Sequence, residues 1–449
     1  FRYGALVDCG FRFVAAIFKA VALMNMKYRI EQELFFLLKC RAVLGVLALL
    51  LVVSGVSVAL GLNYVAAERQ QIAELVQLDN EERAYKRSLA YDYGGAAYDA
   101  FHAVWNPPSE LAFAAIGQRD LNPTMMRIRA LAIEGQIYET DSVNPELALA
   151  GRFDFAFVAA YLLPLVIIFV FYDLLASERE SGRLNLLSVT ARNSRILWLP
   201  RILLRFVGIL VAILVPLWIG IFIEGAAFGL LFGASFAVTL LAVLWTGLVL
   251  AIATRPVLRS ESIAAISIGA WVILTLAIPI SGKVYIESSV SGVKGAEVAL
   301  VQRESVNDAW DLPKSVTMDA FYASHPEWAD SAPINEEFHW KWYYAFQQVG
   351  DESAAELSRD YRAIMLVRDE LTARVSFLSP AVAIQRQLET LARTNLSASL
   401  EFEDQVRSYH EEIRRAYYPV LFSEEPFSSE RLAQITIPGF SNSAQLAVE

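Results

Sequence analysis

The sequence predicts a mainly α, polytopic helical membrane protein with a helical domain outside the bilayer, and three observations predict it. Hydrophobic residues make up 55% of the 449, and mean hydropathy is +0.40. That excess is gathered into five long runs without charge, each near the roughly 20 residues a helix needs to cross hydrocarbon. A charge near the centre of such a run costs about 2.5–3.5 kcal/mol, so its absence carries weight. Finally, the lysines and arginines of the short loops all fall on one side of the five runs.

Residues 1–25 are a candidate upstream extension. The stretch FRFVAAIFKAVALM is similar to a short signal peptide, lacks a small-residue cleavage site, and is followed by the more natural start at Met26. Residues 26–41 read as a cytoplasmic interfacial helix, with Tyr28, Ile30, Leu34, Leu37 and Leu38 at near-helical spacing among Lys27, Arg29, Glu31 and Glu33. The alternative is a plain extension of the first span. Span one is 42–66, followed by an extracytoplasmic segment, 67–151. Span two is 155–172, and 173–202 is a basic cytoplasmic loop with Arg179, Arg183, Arg192 and Arg195. Spans three and four, 203–223 and 228–253, are joined by a tight turn through Glu224, Gly225 and Ala226. Arg255 and Arg259 precede span five, 263–281, and a large helical extracytoplasmic domain fills 283–449. In that domain Asp351–Val375 has apolar residues at helical spacing. Pro380 opens a second helix over 381–392, and Glu401–Tyr418 forms a third that Pro419 stops.

The basic loops place the N-terminal side in the cytoplasm, and hence the two polar segments outside it. A net charge of −10 argues against nucleic acid as a partner. Cys9 and Cys40 both precede span one, so the outer segments contain no disulfide. There is no GxxxxGK[ST] phosphate loop, no Ser–His–Asp or paired-carboxylate pattern, and no ionisable residue at mid-span. These features point away from an enzyme and from an ion-coupled carrier, and towards a permease driven by a separate ATPase.

The loop YDLLASERESGRLNLLSVTARNSRILWLPRILLR, residues 172–205, is the most informative stretch. Its acid-rich entry (Glu178, Glu180), Gly182, leucine helix (Leu184, Leu187), Ser188 and basic return resemble the cytoplasmic signature of ABC-type exporter permeases of the type-2 class. In that class the segment is a coupling helix docked on the nucleotide-binding subunit, a helix-in-groove contact. A membrane-surface helix with arginines on lipid phosphates is the plainer alternative. The resemblance makes 26–41 the elbow helix of the class. The stretches 105–123, 144–158, 321–328, 338–348, 378–396 and 408–422 are similar to a bacterial subfamily with a large extracytoplasmic domain of unknown function. That subfamily is often described by analogy with permeases of multicopper-enzyme maturation. The resemblance implies ATPase subunits carrying ATP and magnesium, a second permease copy or paralogue, contact with membrane lipid, and an inner-membrane location. It also implies six spans where five are visible, so either the chain ends before a sixth or its C-terminus stays outside.

Four histidines, His102, His325, His339 and His410, lie in the outer segments near Glu411 and Glu412, but their spacing matches no metal motif and reads as surface or capping. Trp340, Trp342, Tyr343 and Tyr344 are candidate substrate or interface aromatics; a core role and a membrane belt are the alternatives. Arg119 with Asp120, and Arg152 with Asp154, are candidate ion pairs. Pro164, Pro216 and Pro279 lie within spans as hinges or static kinks. The function that fits best is export through a permease subunit. The alternative is a membrane-anchored interaction or mechanotransmission protein that acts on an outer partner without moving substrate.

Overall fold

The computed structural model describes residues 30–138, 153–183 and 194–440, with the backbone alone for 194–197. Among these residues the fold is helical apart from one antiparallel pair, β1 (His102–Trp105) on β2 (Met125–Ile128), with His102 opposite Ile128 and Trp105 opposite Met125. Five helices are long and apolar enough to cross a membrane: Arg41–Ser88, Phe155–Glu180, Trp198–Glu224, Phe228–Ala253 and Ser260–Ser289. Large apolar side chains such as Phe222, Phe232 and Ile273 are exposed along them, a surface suited to lipid rather than water.

The helices outrun the apolar runs that predict them. Span one continues from Arg41 to Ser88 over 48 residues, about 72 Å at 1.5 Å per residue. Polarity ends the hydrophobic stretch near Glu68 but supplies no helix stop, because neither Gly nor Pro follows until Gly94. Span five likewise extends to Ser289. Two spans contain π-helical turns, Val158–Leu162 and Val272–Ala277, each just ahead of a proline, Pro164 and Pro279. A proline removes one N–H and crowds the carbonyl four residues back, here Ala160 and Thr275, both inside the widened turns. The wider turn relieves that crowding. The carbonyl of Tyr161, in the first such turn, accepts a hydrogen bond from the indole of Trp271 at 3.2 Å.

Two compact units divide the chain: Phe1–Leu60 with Phe153–Ala277, and Gly61–Arg152 with Ile278–Glu449. In the second unit the long helix Trp340–Ser376 packs against Ile278–Ser289, Gly295–Asp308, Lys314–Ser324, Pro380–Leu391 and Leu396–Phe422. Its core is built around Val104, Ile128, Phe321, Tyr344, Val406 and Ile413. Pro380 does open a helix, capped by Ser379, whose hydroxyl accepts from the Val382 N–H. Pro419 does not stop the third helix, which runs Leu396–Phe422. It sits in the last turn, where only one internal bond is lost and the helix ends three residues later, at Phe422.

The loop LAFAAI explains much of the 105–123 stretch. Leu111 to Ala115 are fully buried, and a Cβ on Gly61 would lie 2.0 Å from the Phe113 carbonyl, so only glycine lets the helix backbone approach there. Thr394 Oγ1 donates to the Ala115 carbonyl at 2.8 Å, and the Gln118 N–H donates to the Thr394 carbonyl at 2.8 Å.

Candidate functional site

At the end of span two the chain turns through Asp173 into the short helix Ala176–Glu180 and leaves it at Gly182, whose φ of +73° is the left-handed conformation that glycine adopts at a helix exit. Two adjacent side chains of this helix reach the segment that joins spans four and five. Arg179 donates to the Leu258 carbonyl at 2.5 Å, in the connection between spans four and five, and more distantly to the Ala253 carbonyl at 3.5 Å, at the C-terminal end of span four. Glu180 accepts from the Ser260 N–H at 2.7 Å, at the N-terminal end of span five. Helix N-termini leave N–H groups unpaired and favour anions, which suits Glu180 at Ser260; helix C-termini favour cations, which suits the longer contact of Arg179 with Ala253. Asp173 adds a bond from the Ser260 hydroxyl at 2.8 Å. Beneath this clamp Ala176, Ala253 and Ile263 are fully buried together.

Glu178 faces the other way. It accepts from Arg183 at 2.7 Å and from Arg201 at 3.2 Å, and Arg201 also forks Glu33 at 2.8 and 3.0 Å. Arg201 therefore ties the helix over 30–39 and the loop after span two to the start of span three. Arg205, one turn on, donates to the Val170 carbonyl at 2.6 Å. A cavity of about 500 Å³ lies among Glu33, Phe36, Glu178, Arg183, Arg201 and Arg205.

The structure therefore brings Glu178, Glu180 and Gly182 into one site, but both acids bond within the chain, and Glu178 is largely covered. Ser181, Gly182 and Arg183 are exposed. Leu184, Leu187 and Ser188 lie outside the described residues. The site also includes Arg201 and Ser260, which the sequence pattern does not mark, and Arg179, which it marks only as a basic-loop residue. An arginine between two glutamates in one turn was the available signal for Arg179; nothing in the pattern marked its partners, which are backbone carbonyls.

The outer aromatics lie in and around the core of the second unit. Tyr344 is fully buried and donates to the Gly94 carbonyl at 2.9 Å; Trp342 is buried edge-on to Trp310 at 5.1 Å. Trp340 and Tyr343 are partly buried against the same core, and a Cβ on Gly94 would overlap the Trp340 ring. Of the histidines, His339 caps Trp340–Ser376 by accepting from the Lys341 N–H, and His325 ends Lys314–Ser324 with its ring stacked on Phe321 at 4.5 Å. His102 and His410 are buried rather than surface residues. His410 Nε2 donates towards the carbonyls of Leu131 and Arg129, and burial holds its pKa well below the usual value. Burial and the charge of Arg83 push that of His102 down to about 3. Among the described residues no group of three or more His, Cys, Asp or Glu is placed to hold a metal. Arg119 pairs with Glu68, at 2.8 and 3.2 Å, deep in the second unit. Asp154 caps span two by accepting from the Phe157 N–H; Arg152 lies outside the described residues.

Residues 296–441 match the model of a family described as a domain of unknown function (DUF3526). No curated protein and no solved structure matches the chain.

Proposed function

We propose that this chain is the permease subunit of an ATP-binding-cassette export system in a bacterial inner membrane, with its basic loops in the cytoplasm and the second unit in the periplasm. It pairs with a second copy or a paralogue and receives motion from separate ATPase subunits, which hold ATP and magnesium. The observation that carries this reading is the clamp at the loop after span two. Arg179 and Glu180 hold the connection between spans four and five, at the Leu258 and Ala253 carbonyls and the Ser260 N–H, while Glu178 and Arg201 hold span three and the helix over 30–39. A force applied at the exposed turn 181–183 and the residues beyond it is thereby passed to several membrane helices at once. In this reading Glu178 and Glu180 are positioning residues, and docking falls to the exposed turn and to Leu184, Leu187 and Ser188. Co-purification of the full chain with its ATPase tests it: Leu184→Asp with Leu187→Asp abolishes capture, and undiminished capture overturns the docking assignment.

The uninterrupted helix Arg41–Ser88 favours a second reading. One helix carries both an apolar span and a long polar extension, a continuity that mechanical work on an outer partner would use. Proteoliposomes separate the two readings: ATP hydrolysis with substrate movement supports export, and coupled hydrolysis without movement supports mechanotransmission.

A further inference from the structure

Three cations on one face of the polar half of span one remain outside the proposed export machinery. Arg83, Lys86 and Arg87 are spaced three and four residues apart, so they share one side of the helix. They line a cavity of about 240 Å³ within the second unit, together with His102, Tyr409 and Tyr417. Ala96, Ala100, Ile435 and Ile437 supply an apolar wall, and among the described residues no carboxylate lines the cavity.

Much of what holds these cations is neutral. Arg87 donates to the carbonyls of Leu432 and Ile435, the latter at 2.9 Å. Arg83 donates to the Phe101 carbonyl at 3.2 Å, to Asn80 and to His102 Nδ1 at 2.5 Å. Neutral acceptors fix a guanidinium in place without cancelling its charge. Two acids stand nearby. Asp79 is 3.5 Å from Arg83, but its oxygens also accept from Arg127 and the Ala103 N–H, and Asp99 is 3.8 Å from Lys86 in a half-exposed pair. Because Arg83 can only donate, His102 Nδ1 must accept, which puts the imidazole proton on Nε2. That buried Nε2 has no hydrogen-bond partner among the described residues. The lowered pKa of His102 agrees with a neutral ring beside fixed positive charge.

We propose that this cavity binds a small anion, a carboxylate or phosphate group set against Arg83, Lys86 and Arg87 with a short apolar portion against the isoleucine wall. The volume admits a molecule of small-metabolite size and no polymer. This site stands apart from the export reading, and its failure would leave that reading untouched.

The test is calorimetric titration of the full chain in lipid nanodiscs with inorganic phosphate, phenyl phosphate and benzoate, which separates the phosphate and carboxylate sources and measures the apolar part. Saturable binding of at least one anion is expected, weakened about tenfold by Lys86→Gln, the scale of a lost charge-assisted hydrogen bond. Lys86 makes only a half-exposed ion pair, so this variant folds. Tyr417→Phe, which keeps the ring and removes a hydroxyl from the cavity wall, provides the second variant and is expected to weaken binding severalfold. No saturable binding by any of the three anions overturns the proposal, as does binding that neither substitution changes.

Discussion

Arg179 and Glu180 are neighbours in sequence that meet different backbone groups between spans four and five, carbonyls for the arginine and an N–H for the glutamate, and that division gives each a distinct signature. Arg179→Ala leaves the Leu258 carbonyl without its guanidinium, whereas Glu180→Gln keeps a hydrogen-bond acceptor for Ser260 and loses only charge; the arginine variant is therefore the more damaging. Deep in the second unit, Arg119→Ala strands the buried Glu68 carboxylate and is expected to cost about 3–5 kcal/mol by chemical unfolding. Replacing both partners with methionine recovers most of that loss, and a single variant as stable as the parent would contradict the assignment. The buried histidines set a pH dependence. Their folded pKa values lie below the ordinary value near 6.5, so the unfolded chain binds more protons and stability is lost as pH falls from about 6.5. Burial raises the carboxyls of Asp351 and Glu403, which act in the opposite sense at lower pH, so the window is roughly pH 6.5 to 5. With a folded pKa of about 3, His102 alone contributes about 2 kcal/mol across that window. Unfolding midpoints that stay flat from pH 7 to 5 would contradict this account. The sequence places the histidines in the outer segments, but the burial of His102 and His410 depends on residues hundreds of positions away, Tyr409 for one and Arg129 and Leu131 for the other, and leaves no local mark.

Elements were legible where physics acts locally. Each apolar run marked a membrane helix, and Ser379–Pro380 marked a helix start, because hydropathy and capping are written in a few adjacent residues. Ends were not: span one passes its polar boundary at Glu68, because nothing there breaks a helix. The pair β1–β2 escaped notice since four residues such as HAVW and MMRI are too short to show alternation. Close approach between elements was equally hidden. Gly94 lies against the Trp340 ring, so Gly94→Ala is expected to destabilise the second unit by about 1–3 kcal/mol, read as a lower thermal midpoint; an unchanged midpoint would show that the helix beginning at Trp340 can shift freely.

At the scale of the molecule, the second unit has a dense core of its own and the first presents apolar surface along its spans, so one chain combines two solvents' worth of design. The membrane character is legible in composition, and the sequence singles out Glu178, Glu180 and Gly182, but the direction of each acid depends on distant partners, Arg201 for Glu178 and Ser260 for Glu180. The central claim is that the helix Ala176–Glu180 passes force from an ATPase to the spans. The most direct measurement is ATP hydrolysis by the complex in nanodiscs, comparing the parent chain with Arg179→Ala combined with Glu180→Gln. The account predicts that the variant still captures the ATPase, because docking lies beyond the clamp, and that the permease's stimulation of hydrolysis is lost. Full stimulation with the clamp broken, or a parent chain that binds no ATPase, would contradict it.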